Sequence, residues 1–177
     1  MSSGAGAAGH VSLERASERD APVLANLLEL YTHDLSAAFA DVTLGPDGRY
    51  GYAKLPRYFS EPGRRFAYLI RHEGALAGFA LATRGSPASD DPDVLDVAEF
   101  FVLRRYRRAG VGRIAAGLLW RDLPGRWTVR VFERNAEALP FWRAAIAAVG
   151  ARGCVEQERT LGGRTWRVLA FEAGAPG

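Results

Sequence analysis

Apolar and polar residues alternate from Val11 to Arg15, which predicts a short strand. Ser17, Asp20 and Pro22 then signal the start of a helix, and Val23, Leu24, Leu27, Leu28 and Tyr31 recur on one of its faces. A second short helix is predicted around Leu35 to Phe39. Further on, Gly45, Pro46, Gly48, Gly51, Pro56, Pro62 and Gly63 interrupt any long element. Tyr50, Tyr52, Tyr58 and Phe59 therefore fall in a loop and short pieces, read as a substrate wall with a purely structural loop as the rival. Phe66–Arg71 and Leu76–Thr83 flank Glu73-Gly74 as an antiparallel hairpin. Val94–Leu103 is an apolar strand interrupted by Asp96 and Glu99. A helix over Ala109–Trp120, with Val111, Ile114, Ala115, Leu118 and Leu119 as its apolar side, ends at Pro124-Gly125. Trp127–Phe132 reads as a strand and Glu137–Val149 as a helix closed by the glycines from 150 to 153. Val155–Glu158 and Thr165–Phe171 form a last pair around Gly162-Gly163. This order predicts a mixed α/β sheet in a single domain without repeats.

Composition narrows the picture in a few respects. A chain of 177 residues, 48% hydrophobic and 24% charged, suits one folded domain over residues 11–172, with flexible tails at 1–10 and 173–177. The first ten residues lack a basic and an apolar stretch in series, so they do not read as a secretory signal, and no run of eighteen apolar residues suggests a membrane span. Cys154 is the sole cysteine, which excludes an internal disulfide or a thiolate metal site and fits a reducing, cytoplasmic setting. His33 and His72 are isolated, so no metal site is expected. Lys54 is the only lysine, and Arg104, Arg105, Arg107, Arg108 and Arg113 crowd into ten residues of a chain whose net charge is only +3. That distribution argues for one local anionic ligand and against nucleic acid.

The arginine cluster sits in FFVLRRYRRAGVGRIAAGLL, residues 100–119, between an apolar strand and an amphipathic helix. Gly110 and Gly112 remove side chains where the backbone must turn tightly and approach a ligand. The first N–H groups of the following helix lack intrahelical acceptors and lie at its positive end, so a pyrophosphate satisfies both. This turn is neither GxxxxGK[ST] nor GxGxxG, since Ala115 stands where the third glycine after Gly110 and Gly112 would fall.

Arg107-Arg108-Ala109-Gly110-Val111-Gly112 resembles the [Q/R]xxGx[G/A] signature of the GNAT superfamily of N-acetyltransferases. EFFVLRRY is similar to that superfamily's fourth strand, and RVFERNAEALPFWRAAI to its next strand and helix. The resemblance implies the acyl-CoA N-acyltransferase fold, a central, mostly antiparallel mixed sheet flanked by helices and splayed between the fourth and fifth strands. It implies acetyl-CoA as co-substrate, with the backbone of Arg108, Ala109, Gly110, Val111, Gly112 and Arg113 cradling the pyrophosphate beside Arg107. Backbone groups of Phe101, Val102 and Leu103 would pair with the pantetheine arm, and an N–H near Val102 would polarise the thioester carbonyl. Asn135 matches a recurrent asparagine that orients the pantetheine, with helix capping as the alternative. Trp142 would pack against the cofactor or the core.

Direct attack by a neutral amine also needs a proton acceptor. Glu99 is the first choice, because a carboxylate in an apolar strand has its pKa raised by burial; Asp96 is the second. Three apart, they point to opposite faces unless a bulge intervenes, and pairing with an arginine is the plain alternative for each. The tyrosine that many members use to protonate the thiolate is replaced here by Phe141-Trp142. Tyr106, a tyrosine of the 50–58 loop, or water is left to supply that proton. The acceptor is a small-molecule amine or a peptide. The missing tyrosine keeps a non-catalytic acyl-CoA sensor in view, as well as another acyl donor or a hydroxyl acceptor. No nucleic acid or membrane partner is expected, and a homodimer is left open.

Overall fold

The computed structural model describes residues 9–174, so most of the two expected tails falls outside the described residues. His10 is held, however: its N–H donates to Glu73 Oε1 at 2.6 Å and its carbonyl accepts from the Glu73 N–H at 2.8 Å. Seven strands form one sheet: β1 (Val11–Arg15), β2 (Arg65–His72), β3 (Ala75–Arg84), β4 (Leu95–Val102), β5 (Gly125–Phe132), β6 (Arg152–Leu161) and β7 (Arg164–Ala173). Their spatial order is β1-β2-β3-β4-β5-β7-β6, and every neighbouring pair is antiparallel except β4 with β5. Four helices accompany them: α1 (Ala21–Ser36), the single-turn α2 (Arg57–Ser60), α3 (Val111–Asp122) and α4 (Ala138–Ala148). Among the described residues no helix is long and apolar enough to cross a membrane.

The two sheet faces carry separate apolar clusters. Leu24, Leu27 and Leu28 of α1 pack with Phe79, Leu81 and Phe101 on one face; Ala116, Leu119 and Trp120 of α3 join Trp142 and Ile146 of α4 against Leu95, Trp127 and Val129 on the other. The α1 stripe follows the predicted period, but Val23 lies off it and is 36% exposed. The helix expected around Leu35–Phe39 does not form: α1 runs through Ser36 and the chain then turns, so that Phe39 stacks on Phe132 with ring centroids 4.4 Å apart. At the α1 start, the Asp20 carboxylate accepts from the Ser17 N–H and hydroxyl at 2.8 and 2.9 Å, closing the first turn. The β2–β3 hairpin turns at Glu73 and Gly74, with φ of 49° and 77°, the left-handed pair a tight two-residue connection requires. Gly153 does not belong to a helix end as expected. It lies inside β6, at a register shift between Arg152 and Val155.

Candidate active site

Two local features of β4 build the site. Its parallel pairing with β5 extends only over Leu95–Val97 with Trp127–Val129, after which the strands part. The register against β3 also slips, Leu81 pairing with Glu99 and Ala82 with Val97, so Ala98 is an extra residue. The packing shows the same bulge: Val97 and Phe100 both join the α3/α4 cluster, whereas Ala98 and Phe101 join the α1 cluster. A regular strand would set Val97 and Phe100 on opposite faces. Because a bulge bends and twists its strand, it helps β4 to diverge from β5. It also brings Asp96, Ala98 and Glu99 to one side, where all three line the same cavity. The exception allowed for Asp96 and Glu99 is therefore the observed geometry.

Glu99 stands between two concavities. One, of about 170 Å³, fills the gap between β4 and β5 and is lined by Tyr31, Phe100, Val131, Asn135, Phe141 and Trp142. The other, of about 260 Å³, opens on the α2 side and includes Tyr52, Tyr58 and Arg130. Ala98, Glu99 and Arg130 border both. The Tyr31 hydroxyl donates to Glu99 Oε2 at 2.6 Å, and the Tyr52 hydroxyl donates to Oε1 at 2.9 Å. Burial pushes the Glu99 carboxyl above the ordinary range, while the two phenol donors and the charges of Arg130 and Lys54 oppose that rise. Burial, and then the Glu99 charge, push both phenols well above the usual tyrosine value, so they stay protonated donors.

Asp96 is fully buried and differently engaged. Arg130 grips it through Nε at 3.0 Å and Nη2 at 2.7 Å, and the hydroxyls of Thr128 and Ser86 donate to Oδ1 at 2.8 and 3.2 Å. The plain alternative for it, a carboxylate paired with an arginine, describes this geometry; its contacts fix Arg130 beside Glu99. The loop wall is anchored just as firmly. Glu29 of α1 accepts from the N–H groups of Tyr50 and Gly51, each at 2.8 Å, and this tether delivers Tyr52 to Glu99.

At the arginine-rich turn, the N–H groups from Arg108 to Arg113 donate to no acceptor among the described residues. The α3 ladder begins with the Ile114 N–H on Gly110 O at 3.1 Å. Gly110 caps α3 in the left-handed region, φ 79°, and Arg108 is left-handed too, φ 64°. Successive donors so arranged form an anion cradle at a helix N-terminus. Gly112 has a reason within the protein as well: a Cβ there would stand 3.1 and 3.2 Å from Phe141 ring carbons. Arg107 turns back on the protein, with Nε on Val102 O at 2.7 Å and Nη2 on Asp34 at 2.6 Å.

Of the expected β4 backbone groups, Val102 keeps its place, while Phe101 and Leu103 turn to β3 and Phe100 takes the open side. The Leu103 N–H donates to Ala77 O at 2.8 Å. By antiparallel alternation, Phe101 and Leu103 face β3, while the N–H and C=O groups of Phe100 and Val102 turn to the open side. Asn135 lines the β4–β5 gap and caps nothing, since Glu137 occupies the position before α4. Trp142 is buried against Phe100 and Phe141. Tyr106 packs near His72 and borders neither cavity, which leaves Tyr31 and Tyr52 as the hydroxyls beside Glu99. Sequence reasoning misses Tyr31 and Arg130 as site residues. Tyr31 falls in an apolar stripe, yet it is the one hydroxyl on that stripe; Arg130 is a charge set between Val129 and Val131 of a strand, the same kind of signal that singles out Glu99.

Residues 25–145 match the family model described as acetyltransferase (GNAT) family. No curated protein sequence matches the chain. Among solved structures, an acetyltransferase from Thermus thermophilus is 19% identical, with TM-score 0.63, over 92% of this chain and 97% of that one. An aminoglycoside acetyltransferase, AAC(6')-Ib, in complex with coenzyme A is 14% identical, with TM-score 0.66, over 92% and 95% of the two chains. The ribosomal-protein-S18-alanine N-acetyltransferase from Escherichia coli is 14% identical, with TM-score 0.62, over 95% and 97%. At these identities the likeness is one of fold.

Proposed function

The chain belongs to the acetyltransferase (GNAT) family, and from that premise we propose that it transfers the acetyl group of acetyl-CoA directly to a primary amine, with Glu99 as proton acceptor. The carrying observation is the placement of Glu99 at the common wall of two cavities, one in the β4–β5 gap, walled by the Phe141 that packs on Gly112, and the other on the α2 side, which we assign to the acceptor. Similar folds solved with coenzyme A or with acetyl-CoA support the choice of co-substrate.

When bound, acetyl-CoA supplies an activated thioester whose sulfur is a competent leaving group. The residues that fit it are the N–H groups of Arg108–Arg113 for the pyrophosphate, and the open backbone of Phe100 and the Val102 N–H, with Asn135 and Trp142, along the pantetheine, the Val102 carbonyl being taken by Arg107. The Val102 N–H is the donor that stabilises negative charge on the reacting carbonyl oxygen. Glu99, with its raised pKa, receives the ammonium proton, which frees the lone pair on nitrogen. Glu99 releases this first proton to solvent; nitrogen bonds to the carbonyl carbon as the carbon–sulfur bond breaks, the sulfur departs with the electron pair, and the second N–H proton, shed as the amide forms, passes to Glu99. Tyr31 lines the β4–β5 gap and touches Glu99, so its hydroxyl is the route by which a proton returns to the thiolate. This offers a substitute for the tyrosine absent beside Trp142. Arg130, held by Asp96, orients the site and keeps a positive charge near Glu99.

Calorimetric titration with acetyl-CoA and release of free CoA in the presence of primary amines test the proposal. A saturable complex with amine-dependent turnover is expected. Gly110→Val, which forces a β-branched residue to φ 79°, should weaken the complex at least about tenfold. Binding without turnover on any amine would favour a sensor, and undiminished affinity in the variant would displace the cradle.

A further inference from the structure

The cavity on the α2 side of Glu99 has a charge composition that restricts what it can take. Its walls carry six cations, Lys54, Arg57, Arg64, Arg65, Arg84 and Arg130, against the three carboxylates Glu61, Asp96 and Glu99. The carboxylates are already committed. Asp96 is bound to Arg130, Glu61 is shared between Arg57 at 2.6 Å and Arg65 at 2.8 Å, and Glu99 is bridged by its two tyrosines. Lys54, Arg64 and Arg84 have no carboxylate within ion-pair distance among the described residues. The Arg84 guanidinium makes only long contacts, to Gly63 O at 3.4 Å and Asp93 O at 3.3 Å. A chain with one lysine and a net charge of +3 thus gathers three unpartnered cations in the concavity that receives the acceptor.

The geometry points to an acceptor that carries an anionic group, a carboxylate or a phosphate, at a distance from its reacting amine, and we propose this class as the substrate. The inference rests on the assignment of this cavity to the acceptor. The amine is directed to Glu99, while the anion lies among Lys54, Arg64 and Arg84 of the same cavity. Arginine's fork suits either oxyanion, and Lys54 adds a point charge. A diamine or polyamine would instead place its second ammonium among unpaired cations in a partly desolvated pocket, a like-charge arrangement that discriminates against it. The transfer step is unchanged: nitrogen gains the acetyl carbon, the carbon–sulfur bond breaks, and Glu99 takes the proton.

The test compares amines of matched length: 6-aminohexanoate, hexylamine and 1,5-diaminopentane, with O-phosphoethanolamine against ethanolamine to separate carboxylate from phosphate. Steady-state CoA release is measured on the full chain, and each amine is also titrated into the protein–CoA complex, which reads acceptor binding without turnover. The anionic amines should exceed their neutral partners in kcat/KM at least about tenfold, with the diamine poorest, and the advantage should shrink as salt rises from about 50 mM to about 500 mM. Arg64→Gln combined with Arg84→Gln should bring the anionic-to-neutral ratio toward unity. Coenzyme titration verifies that this variant is folded. Equal or better use of hexylamine or the diamine, with acetyl transfer intact, overturns the anionic class alone. Acceptor binding that prefers the anion but gives no acetylated product keeps the anion site and refutes the transferase proposal; neither binding nor transfer for any of the amines refutes both.

Discussion

Glu99→Gln removes the charge of the proposed base while preserving its shape. The amide oxygen can accept from one phenol and its NH2 group can donate to the other, so neither the 2.6 Å contact with Tyr31 nor the 2.9 Å contact with Tyr52 need leave a void. What is lost is the ionised acceptor, which each phenol supports with a charge-assisted bond of about 1.5–3 kcal/mol. Removal of a positioned general base lowers turnover about 10²- to 10⁴-fold, or about 3–5 kcal/mol in the barrier. The pH dependence has a defined sign. The wild-type carboxyl has a raised pKa and acts only when ionised, so kcat/KM climbs as pH rises through that value and then levels; the variant lacks this limb. Stability moves the other way. A carboxyl whose folded pKa is raised contributes stability below its unfolded pKa, and that contribution is lost as pH rises through the folded value. The variant should therefore gain stability relative to wild type with increasing pH. The assays are CoA release and thermal melting across the pH range, with calorimetry to show unchanged acetyl-CoA affinity. Turnover within about threefold of wild type at every pH would remove Glu99 from the reaction.

Two further substitutions probe the frame around it. Asp96→Ala leaves a largely buried guanidinium, 17% exposed, and the Thr128 and Ser86 hydroxyls without their carboxylate partner, which should cost about 3–5 kcal/mol and lower the melting temperature roughly 6–20 °C; a melt within a degree or so of wild type would show that Arg130 finds another partner. Gly112→Val drives a side chain into the Phe141 ring, a strain of about 1–3 kcal/mol, and should shift Phe141 in the β4–β5 gap enough to weaken acetyl-CoA binding. Unaltered melting and affinity would show that α3 and α4 separate freely.

The chain by itself determined the order of the seven strands and three long helices, the α1 stripe, the hairpins and the glycine turn, because each is set by residues within a few positions of one another. Gly110 at φ 79° and the unused donors after it follow from local geometry of that kind. What only the tertiary structure decided is which chemistry meets. The Ala98 bulge exists because Leu81 and Ala82 of β3 pair as they do, and it alone puts Asp96 and Glu99 on one side. Tyr31, Tyr52 and Arg130 reach Glu99's surroundings from α1, a loop and β5, at sequence separations that no periodicity encodes. The role of Gly112 escapes the sequence for the same reason: whether an absent side chain makes room for a ligand or for Phe141 depends on a helix 29 residues away. Local propensity writes the parts of the site, and long-range packing chooses which carboxylate is free to accept a proton and which is spent on an arginine.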